Sequence, residues 1–298
     1  MDASAGTPDA TASDAGIDSA LMAAIDGGSA LVDGAPPPKP STGCGKTAPA
    51  QMLASYVRHK VSNSNRVYDL YIPTGYDPMR SYPLIFEAHG CDGSIPFHIE
   101  TVSKGDAILV ALRAAASATF PNAGYGGGCF DTGAYAPTVH LAEVPYFDQV
   151  LQDVSSVVCV DQARVFIVGY SSGSWLSNLI GCVRAGVVRG QANATGGVPP
   201  LPACTGPIAG LLAHDTQDTM NLIDGGMAAR DRLIQVNGCT MQSMPYEWDG
   251  TPATQMPCVI YQGCKPGYPV IWCQTTGKGH SQQTPITTVG LWRLWSQF

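Results

Sequence analysis

The feature that most constrains this chain is a serine between two glycines, at the point where a strand pattern changes to a helix pattern. The apolar run Val165–Val168 is short and rich in β-branched residues, which predicts a buried strand. The pentapeptide Gly169-Tyr170-Ser171-Ser172-Gly173 follows it directly. The next apolar residues repeat with helical spacing at Leu176, Leu179, Ile180 and Val183. We therefore expect a strand, a sharp turn and a helix around Ser171.

This order of elements is the nucleophile elbow of an α/β-hydrolase. The tight turn has no room for side chains at Gly169 and Gly173, and it lifts the Ser171 hydroxyl clear of the sheet. The helix that begins there directs its N–H groups at the site. A glycine-x-serine-x-glycine pattern is weak by itself in a chain with 34 glycines. The prediction therefore depends on the flanking strand and helix.

An acyl-transfer serine requires a base and an acid that orients the base, in the chain order serine, acid, histidine in this fold. His280 is the only histidine after Asp218, and it lies in a glycine-flanked loop after the last strand pattern. Asp218 comes just after an earlier strand pattern. The predicted catalytic residues are thus Ser171, Asp218 and His280. Asp215 lies in the same turn and competes with Asp218 for the role of acid.

The oxyanion of such a reaction needs two N–H donors. The amide of Ser172 follows the nucleophile, and the amide of Cys91 follows His89 and Gly90 at a strand end. We interpret His89 as bracing that turn and not as a base. The remaining histidines are assigned to the surface or to the surroundings of the site: His59, His98, His140 and His214.

Four aromatic residues are candidates for lining a substrate cleft: Trp175, Tyr125, Phe130 and Trp272. Core packing is the equal alternative, because aromatic side chains serve both purposes. Asn193-Ala194-Thr195 fits a glycosylation sequon, a short pattern with a high chance rate.

Strand and helix patterns alternate along the chain, which predicts an α/β fold with a mainly parallel central sheet flanked by helices. Helices are expected from Pro145, up to Asn237-Gly238, and over Ile286–Phe298. Glycine-rich residues 124–138 predict a long surface loop. The strand patterns are Tyr56-Val57, Arg66–Ile72, Tyr82–Phe86, Ala107–Leu112, Ile208–Ala213, 257–262 and 269–274.

The charge distribution divides the chain into two parts. Residues 1–43 hold six aspartates and one lysine and are rich in alanine, serine and proline, which predicts a disordered acidic tether. The remainder carries about −2 of the net charge of −7, so nothing basic points to nucleic acid. No window is apolar and long enough to span a bilayer. We expect a single monomeric domain over residues 44–298 that uses no metal or cofactor.

The ten cysteines include no C-x-x-C pair, which argues against zinc and thioredoxin-like sites. An even, high count favours disulfides and an extracellular location. The N-terminus shows no signal peptide, and our hypothesis is that one is missing from this sequence. One pairing follows from strand register: if Tyr261 pairs with Val270, Cys258 lies opposite Cys273. The alternative is that several cysteines are free, small buried residues.

Several short motifs together resemble secreted fungal-type feruloyl esterases, which are related to acetylxylan esterases and polyhydroxybutyrate depolymerases of carbohydrate esterase family one. The resemblance covers about Gly43 to Phe298. Its carriers are Gly43-Cys44-Gly45-Lys46-Thr47, Tyr82-Pro83-Leu84-Ile85-Phe86, Cys159-Val160-Asp161, Arg164-Val165-Phe166, Gly169-Tyr170-Ser171-Ser172-Gly173, Ala229-Arg230-Asp231, Asn237-Gly238-Cys239, Tyr261-Gln262-Gly263-Cys264, Pro269-Val270, Gly279-His280 and Trp295-Ser296-Gln297-Phe298.

The resemblance implies the same three catalytic residues and a disulfide between Cys239 and Cys264. The other pairs are assigned as Cys182–Cys204, Cys91–Cys129 and Cys44–Cys159. The chain departs from the family where Ser174 replaces a second glycine after the elbow. It departs again where residues 125–133 replace a tryptophan-bearing loop.

We therefore expect an extracellular serine esterase that acts on feruloyl or acetyl esters of plant xylan. A polyhydroxyalkanoate depolymerase is the enzymatic alternative. A catalytically inactive hydrolase fold that binds polysaccharide is the alternative from another class. The complete serine, aspartate and histidine set argues against this last reading.

Overall fold

The structure of the protein, a computed structural model, describes residues 36–91, 93, 97–115, 128–132, 142–199, 203–248 and 254–298. Within these residues, ten strands form one sheet in the order β1-β2-β4-β3-β5-β6-β7-β10-β9-β8. The strands are β1 Tyr56–Lys60, β2 Val67–Tyr71, β3 Tyr82–Ala88, β4 Ile108–Leu112, β5 Val160–Tyr170, β6 Gly190–Ala194, β7 Ala209–Asp215, β8 Ser243–Tyr246, β9 Cys258–Tyr261 and β10 Val270–Thr275. The helices are α1 Glu100–Ser103, α2 Glu143–Val157, α3 Ser172–Val183, α4 Ile223–Asn237 and α5 Leu291–Trp295, with a 3₁₀ turn at Ala50–Met52 and a π turn at Ile286–Gly290.

The centre of the sheet is parallel and its edges are antiparallel. Strands β4, β3, β5, β6, β7 and β10 run in one direction. The pairs β1–β2, β2–β4, β10–β9 and β9–β8 are antiparallel. This arrangement confirms the predicted mainly parallel α/β sheet.

Helices cover both faces of the sheet, which explains why the central strands are apolar along their whole length. All seven residues of β3 are buried. On one face, Phe147 of α2, Leu176 of α3 and Leu233 of α4 pack against the sheet. On the other face, Ile99 before α1 and Trp295 of α5 complete a second core. The carboxyl ends of the parallel strands are left open as the place for a site.

Two strands were not predicted, and both lack an apolar signal. β6 carries Gln191 and Asn193 in the middle of the sheet, where the Gln191 amide donates to Asn178 Oδ1 at 2.8 Å. Asn193 is 3% exposed, so its sequon is not accessible for glycosylation in the folded protein. β8 is a short edge strand with three exposed residues.

Some boundaries differ from the predicted ones. The main chain of residues 39–41, which precedes the predicted start of the domain at residue 44, binds the start of β5. Lys39 N donates to Asp161 Oδ1 at 2.7 Å, and Ser41 N donates to Val160 O at 2.9 Å. Helix α2 begins at Glu143, before Pro145. The closing helix starts with the π turn.

The five disulfides join the cysteines in the pairs given above: Cys44–Cys159, Cys91–Cys129, Cys182–Cys204, Cys239–Cys264 and Cys258–Cys273. Cys273 of β10 lies directly opposite Cys258 of β9, in the expected register. In the part of the chain that is described, none of the helices combines the length and apolarity needed to cross a membrane.

Candidate active site

Ser171 occupies a strained turn between β5 and α3. Its φ is 53° and its ψ is −119°, a conformation that costs free energy and persists only where the surroundings enforce it. The two flanking glycines show why the turn tolerates no side chains. A Cβ at Gly169 would lie 1.9 Å from Gly173 O, and one at Gly173 would lie 2.0 Å from Ala88 O. The sequence therefore folds here as the elbow that its glycines predict.

Three side chains from three strand ends meet at this turn. Ser171 Oγ lies 3.0 Å from His280 Nε2, and His280 Nδ1 lies 2.9 Å from Asp218 Oδ2. Asp218 is 3% exposed and Ser171 is 8% exposed. With the Nδ1–H tautomer, the imidazole donates to Asp218 and accepts from the serine hydroxyl. This is the geometry in which a histidine can take a proton from serine.

The turn after β7, residues 215–221, is called the acid turn here. Its main chain holds the Asp218 oxygen that does not contact His280. Asp218 Oδ1 accepts from the amides of Met220 and Asn221, each at 2.9 Å. Its Oδ2 also lies 3.4 Å from Nε2 of the buried His214. Burial lowers the pKa of His214, and its Nε2–H donates to Asn221 O at 2.8 Å. Burial therefore favours the neutral form of the imidazole that lies next to the Asp218 carboxylate.

Asp215 makes no hydrogen bond to His280 among the contacts of the described residues. Its Oδ2 accepts from the Thr275 hydroxyl at 2.7 Å and from Lys278 N at 2.9 Å, and its Oδ1 accepts from Gln217 N at 2.9 Å. Burial alone would raise the pKa of Asp215, but these hydrogen bonds outweigh it and hold the pKa below its usual value. Of the two competing aspartates, Asp218 is the one that contacts the histidine.

The two predicted oxyanion residues belong to segments that adjoin Ser171. Ser172 is the first residue of α3, and its Oγ donates to His89 O at 3.3 Å. Cys91 follows Gly90, where a Cβ would lie 3.4 Å from Ser171 Cβ and 2.9 Å from the Tyr170 ring. The main chain after β3 therefore passes close beside the serine.

Charged and polar residues from distant segments support the loop after β3. The guanidinium of Arg113 donates to Gly93 O and, through Nε, to Asp69 Oδ2 at 2.8 Å. Ala114 N donates to His89 Nε2 at 3.1 Å, which is consistent with the bracing role predicted for His89. The sequence patterns did not single out Asp69 or Arg113, since neither belongs to a local motif.

The four aromatic candidates have different positions. Trp272 is 5% exposed and lies in the core with Arg230 over its ring, so burial assigns it to packing instead of a cleft. Phe130 is 1% exposed and packs on the His89 ring at 4.7 Å, beneath the loop after β3. Trp175 is half-buried on α3 and contacts Gly197. Tyr125 lies outside the described residues, as does His140.

No cluster of three or more histidine, cysteine, aspartate or glutamate side chains in the described ranges has the geometry of a metal site. At the carboxyl edge of the parallel sheet, a strained serine, a histidine and a buried carboxylate are linked in series by hydrogen bonds. This arrangement can support nucleophilic attack on an acyl carbonyl by the serine.

Solved structures with the same fold define the class. The acetyl xylan esterase from Aspergillus awamori superposes with a TM-score of 0.60, at 14% identity, over 81% of this chain and 100% of that one. At this level of identity the similarity establishes an α/β-hydrolase fold. No family model matches the chain.

Curated relatives narrow the class to a family. The chain is 29% identical to feruloyl esterase D of Neurospora crassa, over 87% of this chain and 91% of the relative. It is 33% identical to a probable feruloyl esterase C of Aspergillus niger, over 71% of this chain and 74% of the relative. The chain belongs to the feruloyl esterase family, and it is a carboxylic ester hydrolase.

Proposed function

We propose that the protein hydrolyses esters of plant cell-wall polysaccharide, with Ser171 as nucleophile, His280 as general base and Asp218 as the acid that orients the base. The observation that carries this proposal is the hydrogen-bonded chain from Ser171 Oγ to His280 and on to Asp218, at 3.0 Å and 2.9 Å. All three residues stand at the carboxyl edge of the sheet, where ligands bind in open α/β sheets.

In this proposal the Ser171 oxygen attacks the ester carbonyl while His280 Nε2 takes the hydroxyl proton. The carbonyl oxygen becomes an oxyanion, which the amides of Cys91 and Ser172 stabilise, and each amide contributes about 3 kcal/mol to the barrier reduction. The tetrahedral intermediate collapses as imidazolium protonates the leaving alcohol. Water then attacks the acyl-enzyme, with His280 as base again, and releases the acid and Ser171.

A feruloyl ester is the substrate that the relatives' names favour. Two curated relatives that cover most of this chain are named feruloyl esterases. We further propose that the protein acts outside the cell, since five disulfides link its described cysteines and such bonds persist in oxidising compartments.

The nucleophile is tested by Ser171→Ala, with Ser156→Ala on α2 as the matched control. We expect Ser171→Ala to fold and to lose about 10⁶-fold in kcat. The control should retain wild-type activity, because Ser156 Oγ bonds only within its own helix, to Asp153 O, among the described contacts. A Ser171→Ala protein that kept more than about a tenth of the activity would exclude this nucleophile.

The substrate class is tested with the wild-type enzyme on methyl ferulate, acetylated xylan and short hydroxybutyrate oligomers. We expect the highest kcat/KM on methyl ferulate. Preference for acetylated xylan would move the assignment to an acetylxylan esterase, and preference for the oligomers would move it to a polyester depolymerase. If a serine-directed organophosphorus reagent does not label the protein and no ester is turned over, the catalytically inactive, polysaccharide-binding alternative is favoured.

A further inference from the structure

The proposed reaction leaves one buried carboxylate in the acid turn without a role. Asp215 ends β7 and is completely buried. We call residues 276–283, which carry His280, the histidine loop. The Asp218 carboxylate binds the His280 ring, whereas the Asp215 carboxylate binds the main chain of this loop. A buried carboxylate is retained at a cost unless its oxygens are fully hydrogen-bonded. The identity of its donors therefore indicates what Asp215 does.

Most donors to Asp215 come from the segment that leads to His280. The Thr275 hydroxyl donates from the end of β10 at 2.7 Å, and Lys278 N donates at 2.9 Å. The amide of Gly279, the residue before His280, is a further donor to this carboxylate. Asp215 thus joins the end of β7 to the main chain that carries the histidine.

That main chain has little rigidity of its own. Gly277 has a φ of 88° and Gly279 a φ of 57°, and glycine has the largest conformational freedom of any residue. Beyond His280, Gln283 is 1% exposed, and its Nε2 donates to Ser281 Oγ at 3.0 Å and to Gly279 O at 3.3 Å. Asp215 and Gln283 therefore hold the histidine loop from its two ends.

We propose that Asp215 is a positioning residue for the catalytic reaction: it fixes the main chain before His280 so that the imidazole stays within reach of both Ser171 and Asp218. The two aspartates of the turn then divide one task. Asp218 orients the imidazole ring, and Asp215 orients the loop that carries it. This inference rests on the proposed function of Ser171 and His280.

Only a carboxylate meets the demand at this position. Its two oxygens accept from Gln217 N on one side and from the loop donors on the other. An asparagine has a single accepting oxygen. Its NH₂ group cannot accept a hydrogen bond, so it would leave one of these donors without an acceptor. The loop would then shift, and a displacement of about 1 Å costs on the order of 10²-fold in rate.

The test compares Asp215→Asn with wild type, using kcat per site titrated by an organophosphorus reagent. Titration counts only the molecules that retain a competent serine, so partial unfolding does not lower the measured value. We expect kcat per titrated site to fall about 10²-fold, while KM stays within about twofold. Thr275→Val removes, at constant shape, the hydroxyl that lies 2.7 Å from Asp215 Oδ2 and 2.6 Å from Gln283 Oε1, so it weakens both anchors of the loop and should lower kcat about tenfold or less.

A control variant and a spectroscopic readout separate a positioning role from a general loss of charge or stability. Asp224→Asn removes an exposed carboxylate from the first turn of α4 and should leave kcat and KM unchanged. The proton on His280 Nδ1 provides a readout by NMR, and its downfield resonance should broaden or move in Asp215→Asn. A purely structural role would leave that resonance in place in the folded fraction.

An unchanged kcat per titrated site in both Asp215→Asn and Thr275→Val would overturn the positioning role. If Asp215→Asn does not fold, Thr275→Val alone decides, because it retains the carboxylate and its amide bonds. Activity that survives Ser171→Ala would overturn the proposed function instead. The two failures are therefore distinguishable.

Discussion

Two carboxyl groups near the site, Glu87 and Asp215, are both inaccessible to solvent, but their pKa values are shifted in opposite directions. Each has 0% exposure. Burial raises the pKa of Glu87 to about 7, whereas the pKa of Asp215 lies below its usual value. Glu87 belongs to β3, on the oxyanion side of Ser171, and Asp215 ends β7, on the histidine side.

The two carboxyl groups differ in their hydrogen-bond donors and in their charged neighbours. Glu87 accepts one short bond from the Tyr56 hydroxyl at 2.6 Å and a long one from Ile99 N at 3.4 Å, while the Glu100 carboxylate lies close by. Asp215 accepts from three amides and a hydroxyl. Donors to the charged form compensate for lost water, and a second carboxylate does the opposite. Burial alone therefore does not decide the charge of a carboxyl group.

The two sides of the site also differ in the interactions that hold their loops in place. On the histidine side, carboxylates hold main-chain amides in short loops. On the oxyanion side, the loop after β3 is held by a disulfide from Cys91 to Cys129 and by Arg113, which is itself paired with Asp69. Substitutions on the histidine side should therefore act mainly on rate, and those on the oxyanion side mainly on stability.

The largest expected effect is on the histidine side. Asp218→Asn should lower kcat by about 10⁴-fold, since an amide in place of the carboxylate favours the wrong imidazole tautomer. The melting temperature of Asp218→Asn, measured by thermal denaturation, should differ only slightly from that of wild type. Asp215→Asn is the matched comparison in the same turn, and a larger loss of rate there would move the role of acid to Asp215.

The next effect concerns stability on the oxyanion side. Arg113→Met leaves the buried Asp69 with one partner fewer, and we expect the free energy of unfolding to fall by about 3 kcal/mol. Arg58→Met is the matched control, because Arg58 binds the same carboxylate but its side chain is 47% exposed. Its cost should be about 1 kcal/mol or less. Equal losses in urea denaturation of the two variants would contradict the contrast.

The features that were predictable from the sequence have their signal in consecutive residues. The elbow is visible because Gly169, Ser171 and Gly173 stand between a strand and a helix. The Cys258–Cys273 register could be deduced because both strands flank one turn. The order of serine, acid and histidine also follows from the fold that the elbow implies.

The features that were not predictable depend on contacts between distant segments. Asp215 meets Thr275 across 60 residues, and in the sequence it looked only like a rival acid. β6 was missed because its polar residues Gln191 and Asn193 find their partner in Asn178, which belongs to α3. A local sequence pattern indicates whether a side chain prefers water or the core. It does not indicate that a residue far along the chain will provide the hydrogen bonds that water would otherwise make.

The smallest expected effect is on how stability depends on pH, and it tests why the pKa values of Glu87 and Asp215 are shifted in opposite directions. The pKa of Glu87 is raised from 4.5 to about 7 in the folded protein. Between these values the folded protein keeps a proton that the unfolded chain has released, so stability is complete below the lower value and falls as pH rises through the window. Asp215 has a lowered pKa, so its contribution is present at neutral pH and is lost at the acidic end.

Glu87→Gln should remove the first of these dependences, because glutamine keeps the shape of the protonated carboxyl and cannot ionise. Relative to wild type, the variant should gain about 2 kcal/mol in unfolding free energy between about pH 5 and about pH 8. The exposed Glu247→Gln is the control and should follow wild type at every pH. Parallel pH curves for wild type and Glu87→Gln would show that Glu87 is ionised across the range, and that its few donors suffice to offset its burial.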